Sequence, residues 1–372
     1  MQLKKGLKKL KILTLIFGIT FLLLELTLAT YIRIADYKIE LPTYTFDNTQ
    51  GFWFDINKDF GTAHLPNDSY RQKKTCFDVL YKTNSHGFRD KERQINSENK
   101  RVVVLGDSFI EGIGVEQEER VTGLLESETK IPHLNYGLAG NFGPTQYYIL
   151  YESLAKQYTH DAILVSILPS NDFIDDDYQI NLKVGGNRYR PFFDGTYPNY
   201  SIVYHLDSIE KSQAIPSKQS VLNKFLKNFT YSYNMYAYLK AQRNVALLPE
   251  DKILSEKEVP SYFNYSNEQF NRMKFALEQI KTVANDRPIM VFSIPIYKEI
   301  EDYRLHEKNP LGKDLKTFCD SQNIEYLDLL PKTDNLTLDE CKSLFLNCDG
   351  HWSEKGNRFA KDQILNHFDY YK

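Results

Sequence analysis

Cysteine is scarce in this chain of 372 residues: there are four, Cys76, Cys319, Cys341 and Cys348, and no two are spaced C-x-x-C, which excludes a zinc ribbon. An excess of charge of one sign is missing as well. The formal net charge is −3, which leaves no electrostatic case for a nucleic-acid partner. There is no internal repeat and, past the N-terminus, no low-complexity stretch, so solenoids, propellers and disordered arrays are excluded. One His-Asp pair aside, no cluster of metal-ligand residues stands out, and neither a metal nor another cofactor is expected.

What the chain does have is an unusual start and many aromatics, 14% of residues with 26 tyrosines. Lys4, Lys5, Lys8, Lys9 and Lys11 precede an apolar run from Ile12 to Leu24, which resumes after Glu25 to about Ile32. About twenty apolar residues cross a bilayer as a helix. Residues 1–33 therefore read as a cytoplasmic tail and transmembrane signal anchor. The lysines stay inside and the bulk of the chain lies outside, periplasmic or extracellular. A cleaved signal peptide is the competing reading, but Leu28-Ala29-Thr30-Tyr31 is a poor cleavage site. Glu25 is the weak spot, since a carboxylate in hydrocarbon is costly; it lies near the outer end, where it can reach water or protonate. In an extracytoplasmic domain disulfides are permitted, and a Cys341–Cys348 bridge is expected, with four unpaired thiols as the alternative.

Residues 34–100 form a membrane-proximal segment of short strands and loops. From 101 to 372 apolar strand-like runs alternate with helical patterns. The strands are Arg101–Leu105, Leu134–Tyr136, Ala162–Ile167, Pro288–Ile294 and Ile324–Leu329. Helices are expected over Glu119–Leu125, after an N-cap at Thr145, after the capping box Ser266-Asn267-Glu268-Gln269, around Asp314–Cys319, and from near Ser353. Five strands alternating with helices predict a doubly wound, mainly parallel sheet. The alternation breaks from about 175 to 260. That insertion carries Gly185-Gly186, many tyrosines and an amphipathic pattern at Val221, Leu222, Phe225, Leu226 and Phe229.

Ligands of such sheets bind beyond the carboxyl ends of the strands, and the first three of the distinctive motifs fall there. Gly106-Asp107-Ser108 follows the first strand, with Gly106 allowing a tight turn. The Ser108 hydroxyl then stands at a helix start, where free N–H groups favour negative charge. Gly140, in a glycine-rich loop, lets a backbone N–H approach a ligand oxygen. Asn171, after the third strand, offers a side-chain amide to an oxyanion. His351 is a base suited to activating a serine hydroxyl, and Asp349 two residues earlier can orient it. Each has a plainer alternative: an N-cap serine, a loop glycine, an Asn-Asp turn.

Taken in order, these segments resemble the SGNH hydrolases, or GDSL-type esterases, whose blocks carry Gly-Asp-Ser, a glycine, Gly-x-Asn-Asp and an Asp/His pair. The likeness runs from about Arg101 to Phe368 around the insertion. Thr83-Asn84-Ser85-His86-Gly87-Phe88-Arg89-Asp90 also looks like the lead-in of membrane-anchored bacterial members. The resemblance implies a three-layer α/β/α sandwich of flavodoxin-like order and acyl chemistry on oxygen esters. It implies Ser108 as nucleophile, His351 as base, Asp349 as its partner, and an oxyanion hole of Ser108, Gly140 and Asn171. Arg89 is expected to pin the lead-in against the sheet. The chain departs from the pattern twice: Pro169-Ser170 stands where glycines are common, and Asp349-Gly350-His351 is one residue shorter than the usual Asp-x-x-His, so a carbonyl could orient His351 instead.

The function expected is a serine esterase or deacylase acting on acylated carbohydrate of the envelope, or on another ester. Tyr189, Phe192, Phe193, Tyr197 and Tyr200 would stack on sugar rings, line an acyl groove, or pack the insertion's own core. An O-acyltransferase of surface polysaccharide would use the same site, and a non-catalytic glycan-binding or assembly protein would use the fold alone.

Overall fold

In a computed structural model of the chain, the described residues are 2–35, 37–46, 55–184, 186, 188–209, 220–255 and 258–372. Gly185 of the insertion lies outside them. Two antiparallel hairpins come first: β1 (Asp55–Asn57) with β2 (Gly61–Ala63), and β3 (Ser69–Lys73) with β4 (Asp78–Lys82). Then come β5 (Val102–Gly106), β6 (His133–Gly137) and β7 (Ala162–Ile167). A third hairpin follows, β8 (Phe192–Thr196) with β9 (Asn199–Val203), and finally β10 (Ile289–Ser293) and β11 (Glu325–Asp328).

Five of these strands form one parallel sheet in the order β11-β10-β7-β5-β6. Every residue of β5, β6, β7 and β10 is buried, as expected for strands covered on both faces. Full burial of one such Val, Leu, Ile or Phe side chain contributes roughly 1.5–3 kcal/mol, so the strand tips are rigid places to mount a site. The chain steps one way from β5 to β6 and the other way through β7, β10 and β11. Right-handed crossovers then put helices on both faces. Pro144–Ser153 packs against Asn267–Ala284 in one layer, and Val121–Thr129 against Glu354–His367 in the other. The fold is a doubly wound α/β sandwich.

Local signals explain most helix starts. Ser266 Oγ accepts from Gln269 N–H (3.1 Å), and Gln269 Oε1 accepts from Ser266 N–H (2.8 Å), the reciprocal capping box. Ser353 caps the last helix. Thr145 is not the N-cap expected: the helix begins at Pro144 with Gly143 before it, and proline suits a first turn whose N–H has no helical partner. Short helices at Tyr178–Lys183, Tyr297–His306 and Leu338–Ser343 had no clear periodic signal.

The hairpins before the sheet are packed onto the domain. Phe60, Ala63 and Phe88 join the main core, and Tyr70, Val79 and Tyr81 close over Ile113. Arg89 is 1% exposed. Its guanidinium lies 4.3 Å from the Tyr81 ring centroid and donates to the carbonyls of Glu111, Gly112 and Val115. It therefore ties the lead-in to the turn just beyond Ser108. In the insertion, Val221–Phe229 is helical, and a second helix, Tyr231–Ala246, follows it. The N-terminal helix Gln2–Ile34 includes a stretch, Lys5–Ile34, long and apolar enough to cross a membrane; by that measure alone it is an anchor or a signal sequence.

Candidate active site

Ser108 opens a four-residue helix, Ser108–Glu111, directly beyond β5. Asp107 is its N-cap, with Oδ1 accepting from Phe109 N–H at 2.9 Å. Asp107 is 1% exposed, and that burial raises its carboxyl to about 6, although the Phe109 N–H and nearby His351 pull the other way. Ser108 itself is only partly buried, so its hydroxyl is reachable.

The Ser108 Oγ lies 2.8 Å from Nε2 of His351. The other ring nitrogen, Nδ1, faces Oδ1 of Asp349. Donation from Nδ1–H to that carboxylate leaves Nε2 as the acceptor for the serine proton. The short Asp-x-His spacing works because Gly350 has φ +95°, a left-handed conformation that glycine adopts freely. The loop closes with Asp349 N–H and Gly350 N–H on the Leu346 carbonyl (3.1 and 2.7 Å) and Leu346 N–H on the His351 carbonyl (2.7 Å). A carboxylate, rather than a carbonyl, orients the imidazole. Phe109 packs against the His351 ring at 5.1 Å and edge-on to Trp352 at 5.2 Å.

Asp349 has a second partner, which the sequence did not suggest. Lys74, in the turn between β3 and β4, donates to Oδ2. Burial alone would raise the Asp349 carboxyl, but His351 and the Lys74 ammonium hold it well below the usual carboxylate range. Two residues on, Cys76 forms a disulfide with Cys348. This corrects the expected Cys341–Cys348 bridge. Cys341 is buried in the helix Leu338–Ser343 as a free thiol within the main core, while Cys348 sits in the loop that meets the β3–β4 turn. The same turn thus grips the Asp349–His351 loop by a covalent bond and an ion pair.

On the other side of Ser108, Gly140 follows β6 with φ +110°. Among the described residues, neither Ser108 N–H nor Gly140 N–H has a hydrogen-bond partner. A Cβ at Gly140 would sit 2.8 Å from Nη1 of Arg188, so a guanidinium from the insertion roofs this loop. Asn171 lies in the first turn of the helix Pro169–Asp175, which starts with proline at its first position. That accounts for Pro169-Ser170 replacing glycines: the segment is a helix start, not a flexible loop. Asn171 Nδ2 is 3.5 Å from Asp107 Oδ2, a long contact, and the Asn171 side chain also hydrogen-bonds the Asp175 carboxylate. Asp172 fixes the turn, accepting from Leu168 N–H (2.8 Å) and Tyr147 O–H (2.9 Å). Its burial drives its carboxyl well above the ordinary range.

The structure thus brings Ser108, His351 and Asp349 into one hydrogen-bonded line and sets Gly140 and Asn171 on the adjoining strand tips. The aromatics of the insertion serve elsewhere. Tyr189, Phe192 and Phe193 are buried, and Phe193 and Tyr200 pack against Phe275 of the helix Asn267–Ala284 (5.0 and 5.2 Å). Tyr197 and Tyr200 donate their hydroxyls to Glu278 and Glu268. Among the described residues, no group of three or more His, Cys, Asp or Glu side chains is placed to hold a metal ion. Lys74, Arg188 and the capping role of Asp107 escaped the sequence reading. Lysine next to lysine reads as a solvated face, and only the unassigned Cys76 nearby pointed to that turn.

No protein-family profile and no curated protein matches the chain. Among solved structures it is similar to a member of the lipolytic protein G-D-S-L family from Veillonella parvula, with 12% identity over 72% of this chain and 97% of that one, at a TM-score of 0.37. It is similar also to the lipase/acylhydrolase from Enterococcus faecalis, with 10% identity over 72% and 94% of the two chains and a TM-score of 0.37. A third is a catalytic mutant of Axe2, an acetylxylan esterase from Geobacillus stearothermophilus, with 10% identity over 74% and 97% and a TM-score of 0.34. The chemistry has to be read from the site.

Proposed function

We propose that this chain is a membrane-anchored serine hydrolase of the SGNH type that cleaves oxygen esters through an acyl-serine. The observation that carries this reading is the 2.8 Å contact between Ser108 Oγ and His351 Nε2, with Asp349 behind the ring. In the first half-reaction Ser108 Oγ attacks the ester carbonyl carbon as its proton passes to His351 Nε2. The imidazolium so formed is stabilised by Asp349. Negative charge on the carbonyl oxygen is met by the N–H groups of Ser108 and Gly140 and the Asn171 amide. Collapse expels the alcohol, which takes the proton from His351. Water then repeats the sequence on the acyl-serine, releasing the acid and restoring the hydroxyl. The unpartnered N–H groups of Ser108 and Gly140 support this reading, because a donor already satisfied would have to be freed first.

The anchor reading rests on the N-terminal helix, and the lysines at its start favour an extracytoplasmic domain. The substrate class proposed is acylated carbohydrate at the envelope, supported by that location alone. The deciding experiment is activity-based labelling with a fluorophosphonate, followed by a panel of small acetyl and aryl esters. Wild-type protein is labelled at Ser108 and turns esters over. S108A loses the label and at least about a thousandfold in kcat. Undiminished turnover by S108A would refute the assignment.

A further inference from the structure

The N-terminal helix and the insertion meet at Glu25. Its two carboxylate oxygens accept the backbone N–H groups of Tyr231 (2.6 Å) and Ser232 (3.1 Å), the first two residues of the helix Tyr231–Ala246. The carboxylate satisfies donors that a helix start otherwise leaves open, and it sits at the positive end of the helix dipole. Around it, Arg33 donates to the Tyr231 hydroxyl at 2.9 Å, and Ile32, Tyr231 and Met235 share a small apolar cluster with Ile39 and Leu41. Glu25 is therefore a joint between two helices.

The depth of that joint follows from length. A hydrocarbon core of about 30 Å, counted from Ile12 at about 1.5 Å per residue, ends near residue 32. Glu25 then lies about 10 Å inside the core on the domain side. Whatever it caps lies at that depth too. Residues 220–249 contain no Asp or Glu. On the helix pair Val221–Phe229 and Tyr231–Ala246 and the residues just after it, Val221, Leu222, Phe225, Leu239, Val245 and Leu247 are exposed, Val221 at 85%. Lys240 and Arg243 are exposed among them, and Lys224 is partly so. Lys227 is already paired with Glu40. Apolar and aromatic side chains with interspersed cations and no acids are the composition of a helix lying in a lipid interface.

We infer that the helix pair of the insertion is seated in the domain-side leaflet of the same bilayer that holds the N-terminal helix, with Glu25 as the joint between them. The occupant of the exposed apolar face is lipid acyl chain, and Lys240 and Arg243 face its anionic headgroups. The inference rests on reading the N-terminal helix as an anchor. A single spanning helix would leave the catalytic domain free to swing, whereas a second insertion point beside it fixes the tilt of the active-site rim over the membrane surface.

The test uses the full chain in vesicles of phosphatidylcholine and phosphatidylglycerol, some lipids carrying brominated acyl chains. Cys319 and Cys341 are buried and Cys76 and Cys348 are bridged, so an introduced cysteine is the reactive one. A fluorophore is placed in turn at L222C, L239C, L22C within the spanning stretch, and K316C as the aqueous control. The expected result is strong quenching by bromolipid at 22, 222 and 239 and none at 316. Quenching at 22 with labels at 222 and 239 open to aqueous iodide overturns the inference and leaves the anchor standing. Protection of 222 and 239 from both quenchers also overturns it, since protein rather than lipid would cover the face. Absence of quenching at 22 removes the anchor and this inference together. Because all four positions are exposed, each variant is expected to fold.

Discussion

Lys74 donates its ammonium to Oδ2 of Asp349 while the opposite oxygen of that carboxylate holds the Nδ1 side of His351. Lys74 touches no reacting atom, so it is a positioning residue. Removing it frees the carboxylate to rotate. K74M is expected to lower kcat on the order of tenfold, about 1.4 kcal/mol, with little change in KM, and K74R restores most of the loss. A kcat unchanged in K74M would show that the ion pair has no bearing on the base.

The Cys76–Cys348 bridge closes a loop of 272 residues in sequence separation. Crosslinks over long stretches restrict the unfolded chain, typically by about 2–4 kcal/mol. C76S should therefore unfold at lower urea and, because the bridge abuts the His351 loop, should also lose turnover under conditions where it is still folded. Dithiothreitol should do the same to wild type and nothing further to C76S. Equal turnover of the two folded proteins would confine the bridge to stability.

For the proposed oxyanion donors, N171A is expected to lose about a hundredfold to a thousandfold in kcat with a smaller change in KM. G140A should fail for a different reason: its backbone has φ +110°, and its new Cβ would meet Arg188. Steady-state kinetics on an aryl ester, with circular dichroism to verify folding, separates these outcomes. A kcat for N171A within a few-fold of wild type would remove Asn171 from the mechanism.

Asp176 is buried with its carboxylate on Thr145 N–H (3.1 Å), and burial raises its carboxyl from 3.8 to about 7. The folded protein then keeps a proton that the unfolded chain has released, so this group's contribution to stability falls as pH rises from about 4 to about 7. D176N holds an acceptor there without the charge and should flatten that fall. Urea midpoints at pH 4.5 and 7.5 for both proteins measure the effect; identical pH dependence would contradict it.

The parallel sheet was legible because its strands are unbroken apolar runs between capping signals, and Ser108 and Asn171 stood out because they follow strands, whereas His351, in a loop between two helices, stood out only through its pairing with Asp349. What could not be read was pairing across long distances. Cys341 and Cys348 are close in sequence, yet Cys341 is turned into the core by the helix Leu338–Ser343, and the partner of Cys348 arrives from the β3–β4 turn. Lys74 carries no local signal, since its meaning lies wholly in a carboxylate encoded far downstream. The insertion aromatics looked like a ligand wall because composition does not say which way a ring points; Phe193 points at Phe275. The helix Tyr231–Ala246 was hidden for a related reason. Thr230 caps it locally, but the acceptor for its first two N–H groups, Glu25, lies in another element.

A version of the chain cut to begin at Arg101 would retain every strand of the sheet and every motif segment, yet it would leave Cys348 a bare thiol and Asp349 without its ammonium. A His351 loop braced by both contacts therefore needs the chain from upstream of Ser69, and its bridge waits on synthesis of the last few dozen residues, because only then does Cys76 meet its mate. Production in a reducing host compartment should yield folded, poorly active protein that gains turnover on air oxidation.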